Sequence, residues 1–155
     1  MKYYYSKYQS PIGTLHLYAD EEYLVGVFFE RQTFSTIQSN TIIKQAIKEL
    51  DEYFSRSRKT FSIPLKIIGT EFQKNVWKYL VKIPYGKTCC YKEIAAKIAN
   101  PKSMRAVGTA NGKNNFPIII PCHRVIKANG EIGEYSGGAK IKKYLLELEN
   151  TPFNF

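Results

Sequence analysis

Apolar residues alternate with polar ones at the start of the chain and change to a helical period further on. Lys2–Gln9, Thr14–Ala19 and Leu24–Phe29 are rich in Tyr, Val, Leu and Phe. Ser10-Pro11-Ile12-Gly13 and Asp20-Glu21-Glu22 separate them. This predicts three strands joined by turns at hairpin distance. Ile43, Ile47, Leu50 and Phe54 then recur at helical spacing and predict a helix over Ile42–Phe54. The stretch Ser57–Gly69 reads as a linker. Nothing in this half points to chemistry. Its aromatic residues are most simply core and sheet packing, and His16 is assigned to that scaffold.

Beyond residue 69 the helical period dominates. Thr70 followed by Gln73 forms a capping-box signature. Phe72, Val76, Leu80 and Ile83 define one helix, ended by Pro84-Tyr85-Gly86. Tyr91–Ala99 predicts a second helix with Ile94 and Ile98 inward. Asn100-Pro101-Lys102-Ser103 is a turn, and Ser103 is placed to cap a third helix, Met104–Ala110, closed by Asn111-Gly112. Helix, tight turn and helix within about twenty residues is the helix-turn-helix pattern. Ile141–Glu149 predicts a last amphipathic helix. The fold class is therefore α+β. A small β-sheet-plus-helix domain over residues 1–66 precedes a mostly helical domain over 67–155 that contains the helix-turn-helix.

Composition sharpens this division. The 155 residues carry 23 Lys/Arg against 13 Asp/Glu, a formal charge of +10. Residues 1–66 contribute only +2, while Phe72–Lys127 holds eleven basic residues and one acid, Glu93. So local a cationic field points to a polyanionic partner rather than to general solubility. No apolar run approaches the roughly 20 residues that span a bilayer, and the start of the chain lacks the apolar core of a signal peptide. A soluble, cytoplasmic protein without membrane association is expected. Three cysteines, Cys89, Cys90 and Cys122, argue against a disulfide framework. No metal-ligand spacing occurs, so no metal is expected.

Ile118-Ile119-Ile120 reads as a buried strand running into Pro121-Cys122-His123-Arg124-Val125. A thiol at such a strand end, beside an imidazole, is a candidate nucleophile. A free thiol of pKa about 8.5 is only about 3% ionised at pH 7. Lowering that pKa by about two units would gain only about threefold in rate once the weaker nucleophilicity is counted. Catalysis would therefore rest on positioning and on a proton donor for the leaving group. Neighbours on a strand point to opposite faces, so Cys122 and His123 would need an irregular backbone or a bridging water to cooperate.

Pro121-Cys122-His123-Arg124-Val125, Arg105-Ala106-Val107-Gly108 upstream and Tyr135-Ser136-Gly137-Gly138 downstream resemble the O6-alkylguanine-DNA alkyltransferases. Phe72-Gln73, Val76-Trp77, Pro84-Tyr85-Gly86 and Asn111-Gly112 extend the resemblance over about Phe72–Glu149. The resemblance implies a ribonuclease-H-like first domain and repair by direct reversal. The alkyl group on O6 of a damaged guanine, or on O4 of an alkylthymine, would pass irreversibly to Cys122 in one turnover. It implies no cofactor, and a monomer whose partner is double-stranded DNA containing O6-alkylguanine.

The same resemblance assigns roles. His123, through a water, and Glu149 would form the relay that generates the thiolate. Tyr91 would donate a proton toward guanine N3, and Asn114 would be a hinge before the active site. Arg105 would fill the stack vacated by the flipped base, with Ala106, Gly108 and Thr109 on the same DNA-facing helix. Extrusion is a physical requirement for reaching a paired base. Val125, Tyr135, Ser136 and Asn111 would line the pocket. Cys90, where the family commonly has Ser or Thr, and Asn115, in place of Pro, are departures. A non-catalytic lesion binder, a cysteine hydrolase and a simple DNA-binding regulator are competing readings. The presence of Cys122 weighs against the first, and its adjacency to His123 against the second.

Overall fold

The computed structural model describes residues 2–98, 100–151 and 153. It contains two compact units, Met1–Ile67 and Ile68–Phe155.

In the first unit, β1 (Lys2–Ser10), β2 (Gly13–Ala19), β3 (Leu24–Phe28) and β4 (Ser35–Ile37) form one sheet in the order β3-β2-β1-β4. The first three are antiparallel, joined at the predicted turns, and β4 lies parallel to β1. Periodicity did not reveal β4, whose three residues are too few to show alternation. Helix α1 (Thr41–Phe54) packs on β1, β2 and β3. Asn40 caps it by accepting from the Ile43 amide. Ile43, Ala46, Leu50 and Tyr53 form its buried face, and Leu15, Leu17 and Val27 are buried in the sheet. Ile47 and Phe54, expected on that face, flank it half-buried. His16 Nδ1 lies 2.6 Å from the Tyr5 hydroxyl within the sheet.

The expected linker is partly structured. Leu65 bridges Leu24, with Leu24 N donating to Pro64 O and Lys66 N to Leu24 O, each at 2.9 Å. Buried Glu49 accepts from the amides of Ser62 and Ile63 and fixes the approach. Ile63 is buried in this stretch, while Phe61 and Leu65 are half-buried.

In the second unit, α2 (Glu71–Val81) begins with the predicted capping box: Thr70 Oγ1 accepts from Gln73 N at 3.1 Å and Gln73 Oε1 from Thr70 N at 3.0 Å. The Trp77 indole donates to Ala110 O at 2.9 Å and fastens α2 against α4. Helices α3 (Tyr91–Lys97) and α4 (Met104–Gly112) pack together as the helix-turn-helix. The predicted end of α3, Ala99, lies outside the described residues. Ser103 does not cap α4 through its side chain; its hydroxyl donates back to Asn100 O and tightens the turn instead. Two short strands, β5 (Cys89–Cys90) and β6 (Val125–Ile126), pair in parallel. Helix α5 (Ala139–Leu148) ends the unit.

Ile118–Ile120 is not a strand. It is buried irregular backbone, with Ile118 in the left-handed region at φ 76°. Pro117 and Pro121 remove amides a ladder would need. A β-branched residue at positive φ costs roughly 1–3 kcal/mol and persists only where its surroundings enforce it. Asn114 does so here: its Nδ2 donates to Ile120 O and its Oδ1 accepts from Phe116 N, both at 2.8 Å. Among the described residues, no helix is long and apolar enough to cross a membrane.

Candidate active site

Because the Ile run is not a strand, Cys122 does not sit at a strand's end. It opens a 3-10 turn, Cys122–Arg124. That is the irregular backbone Cys122 and His123 require, since successive residues on the turn do not alternate between faces. Asn111 Nδ2 donates to Cys122 O at 3.4 Å and ties the turn to α4.

Behind the turn lies a buried charged array. Glu149, at the C-terminal end of α5, is 2% exposed. Its Oε2 lies 2.7 Å from His123 Nε2 and accepts from Arg124 Nη2 at 3.1 Å. Its Oε1 accepts from Arg124 Nε at 2.8 Å and Gly86 N at 3.3 Å. Four donors converge on one carboxylate. They outweigh burial and pull its pKa down to about 2, with His123 and then Arg124 the main favourable partners. Gly86 is required at this turn: its φ is 80°, and a Cβ there would stand 3.2 Å from Glu149 O. Arg124 also donates to Ile83 O at 2.7 Å and lies over the Tyr85 ring. The Pro84-Tyr85-Gly86 motif that ends α2 therefore also backs the carboxylate.

This array sets the state of His123. Burial lowers its pKa, opposed by Glu149, while Arg124 and Lys142 add to the lowering. A neutral ring bonded to a carboxylate through Nε2 carries its proton there. Nδ1 is then the basic nitrogen, and it makes no hydrogen bond among the described residues. Burial also raises the Cys122 pKa, while the Asn114 amide and the Lys142 charge pull it down. The resting side chain is the thiol.

Cys122 lines a cavity of about 820 Å³. Tyr91, Arg105, Gly108, Thr109, Asn111, Tyr135 and Ser136 line it too, together with Lys92, Met104, Lys127 and Glu134. Tyr91 opens α3 half-buried, and burial raises its pKa, so it keeps its proton at neutral pH. Gly108 faces its ring; a Cβ there would lie 3.9 Å from it. Thr109 Oγ1 donates to Arg105 O at 3.2 Å. Ala106 is exposed on α4 but does not line the cavity. Val125, expected in the pocket wall, is fully buried behind it, held by its pairing with Cys89. His123, Glu149 and Asn114 lie behind Cys122, outside the lining.

Two buried cations escaped the sequence reading. Arg124 stands in the sequence only as a member of the Pro121–Val125 motif. Lys142, 0% exposed, donates to Val125 O at 2.6 Å and Glu134 O at 2.9 Å, and burial pulls its pKa down to about 8. Its signal was present: Lys142, Leu145, Leu146 and Glu149 follow i, i+3, i+4, i+7, which puts the lysine on the apolar face of α5.

A thiol-floored cavity beside a helix-turn-helix defines a cysteine-centred class of DNA-binding protein. Two family models match the chain. Residues 3–67 match "6-O-methylguanine DNA methyltransferase, ribonuclease-like domain" and residues 71–151 match "6-O-methylguanine DNA methyltransferase, DNA binding domain". The chain belongs to the 6-O-methylguanine DNA methyltransferase family. It is 45% identical to the methylated-DNA–protein-cysteine methyltransferase of Methanosarcina acetivorans, over 96% of this chain and 99% of that protein. The crystal structure of the Mycobacterium tuberculosis O6-methylguanine methyltransferase superposes with a TM-score of 0.86 at 40% identity, covering 96% of this chain and 93% of that one. The protein of that organism described as OGT in complex with DNA also gives 0.86, at 39% identity, covering 98% and 96%.

Proposed function

We propose that the protein repairs DNA by moving the alkyl group from O6 of an alkylguanine to Cys122, once per molecule, with the damaged nucleotide turned out of the duplex into the cavity. The observation that carries this reading is a cysteine on the cavity wall backed by the buried His123–Glu149 pair. The Cys122 proton passes through a water to His123 Nδ1. The sulfur attacks the alkyl carbon, a C–S bond forms and the C–O bond breaks. The guanine leaves with the electron pair, and Tyr91 supplies a proton to its N3. A thioether has no thiolate left to attack again, so the protein is spent. Arg105 fills the vacated stack, and the second unit carries both DNA binding and alkyl acceptance.

Intact-mass analysis after incubation with a duplex bearing one O6-methylguanine tests this. One methyl per protein, mapped to the Cys122 peptide, is the expected result. An unmodified protein, or many lesions cleared per protein, would sink the proposal.

Tyr91→Phe tests the donor. Loss of a positioned acid typically costs about 10²- to 10⁴-fold. A drop toward the lower figure is expected in transfer from duplex DNA, because water at the cavity mouth offers a poorer substitute. Alkylation of Cys122 by iodoacetamide, which needs no purine protonation, should keep its rate. Equal slowing of both reactions would remove the donor role.

A further inference from the structure

Helix α4 shows the cavity two neighbouring stripes. Arg105, Thr109 and Gly112 form one; Met104, Gly108 and Asn111 form the other, at i, i+4 and i+7. Along the second stripe burial grows from one end to the other. Met104 is 52% exposed, Gly108 is half-buried and Asn111 is 7% exposed, with its amide on the Cys122 carbonyl. The stripe thus runs from the cavity mouth to its floor. Seven residues at 1.5 Å each place Met104 about 10 Å along the helix axis from Asn111.

That distance decides what Met104 can touch. A purine whose alkyl carbon meets Cys122 fills the floor, so the level of Met104 is where the strand enters and neighbouring bases remain stacked. A single exposed apolar side chain is ordinary on a protein surface. This one stands at the mouth of the reactive cavity, next to Arg105, inside a segment from Ile94 to Gly130 that contains no Asp or Glu. Its surroundings, including exposed Lys102 and Arg105, suit a phosphate backbone. A flexible thioether is well suited to lie against base faces and to part a base step.

We propose that Met104 is an apolar wedge that packs against the base step beside the extruded nucleotide and holds the duplex open there. It acts beside Arg105, which fills the vacated stack, and adds apolar contact against the flanking base step. The inference rests on the proposed repair reaction and names a residue that tunes its dependence on DNA stacking.

Two O6-methylguanine substrates separate the possibilities. One is an intact duplex; the other has abasic sites opposite and beside the lesion, so no stack must be opened. Met104→Ala should lower single-turnover transfer from the intact duplex about tenfold. On the abasic substrate it should stay within about twofold of the wild type, because little stacking is left to replace. Met104→Leu should restore most of the loss on the intact duplex. Unchanged duplex transfer in Met104→Ala, or the same loss on both substrates, would overturn the wedge. Wild-type protein that methylates Cys122 from neither substrate would instead remove the underlying repair reaction.

Discussion

Replacing Cys122 by serine is expected to abolish alkyl transfer completely while leaving the protein folded and able to bind lesion DNA. A hydroxyl does not ionise near neutral pH, so the proposed His123 relay would not produce an oxygen nucleophile comparable to thiolate. No other cysteine can take over. Cys89 and Cys90 lie on β5, away from the cavity lining, and burial pushes the Cys89 thiol up to about 11. The side chain at 122 is nearly inaccessible, and a serine hydroxyl there keeps the Asn114 amide within reach as a partner. Packing changes by one sulfur-to-oxygen exchange, so folding is preserved. The measurement pairs transfer from a labelled O6-methylguanine duplex with anisotropy titration at fixed salt, since affinity for the phosphate backbone varies steeply with ionic strength. Stoichiometric methyl transfer to the serine variant would relocate the acceptor and discard the proposed reaction.

Long periodic segments were legible in the sequence. The three strands at the start, α1 and the capped start of α2 all follow from spacing and turn residues. What escaped was short or irregular. Strand β4 and the β5–β6 pair are stabilised by partners distant in sequence rather than by local pattern. The Ile118–Ile120 run has a strand's composition, but its flanking prolines and the Asn114 bonds hold it as a loop. That error matters for function, because the loop delivers Cys122 into a turn rather than onto a strand. The same limit applies to charge. The family resemblance implies that His123 and Glu149 act together, but it does not show that Arg124 grips the same carboxylate. Adjacent to a cysteine and a histidine, Arg124 reads as a source of positive potential for the thiol; its side chain turns to Glu149 and Ile83 instead. Lys142 reads as one lysine among three near the start of α5, and only its helical phase marks it as buried.

The consequence of that hidden charge is the second large effect. Glu149→Gln should destabilise the protein by about 3–5 kcal/mol at pH 7, the usual cost of removing one partner of a buried ion pair. The amide leaves the Arg124 guanidinium without a counter-charge and presents hydrogens at one of the two positions where an Oε atom now accepts. Transfer should fall as well, because a glutamine would no longer stabilise the charge that His123 acquires on taking the thiol proton in the proposed relay. The pH dependence has a definite sign. A carboxylate depressed to about 2 contributes stability that is fully present above its unfolded value of about 4.3 and is lost as pH falls through about 2. Urea midpoints of wild type and Glu149→Gln should therefore differ most at neutral pH and converge between pH about 4.3 and about 2. The lowered His123 pKa works in the same direction: its contribution is present above the unfolded value of about 6.5 and fades on acidification. The double variant Glu149→Leu with Arg124→Met should recover part of the stability, since removing both charges removes the unpaired cation, but should recover none of the transfer. A Glu149→Gln variant as stable as wild type across that range would show that the carboxylate is not the ionised centre of the array.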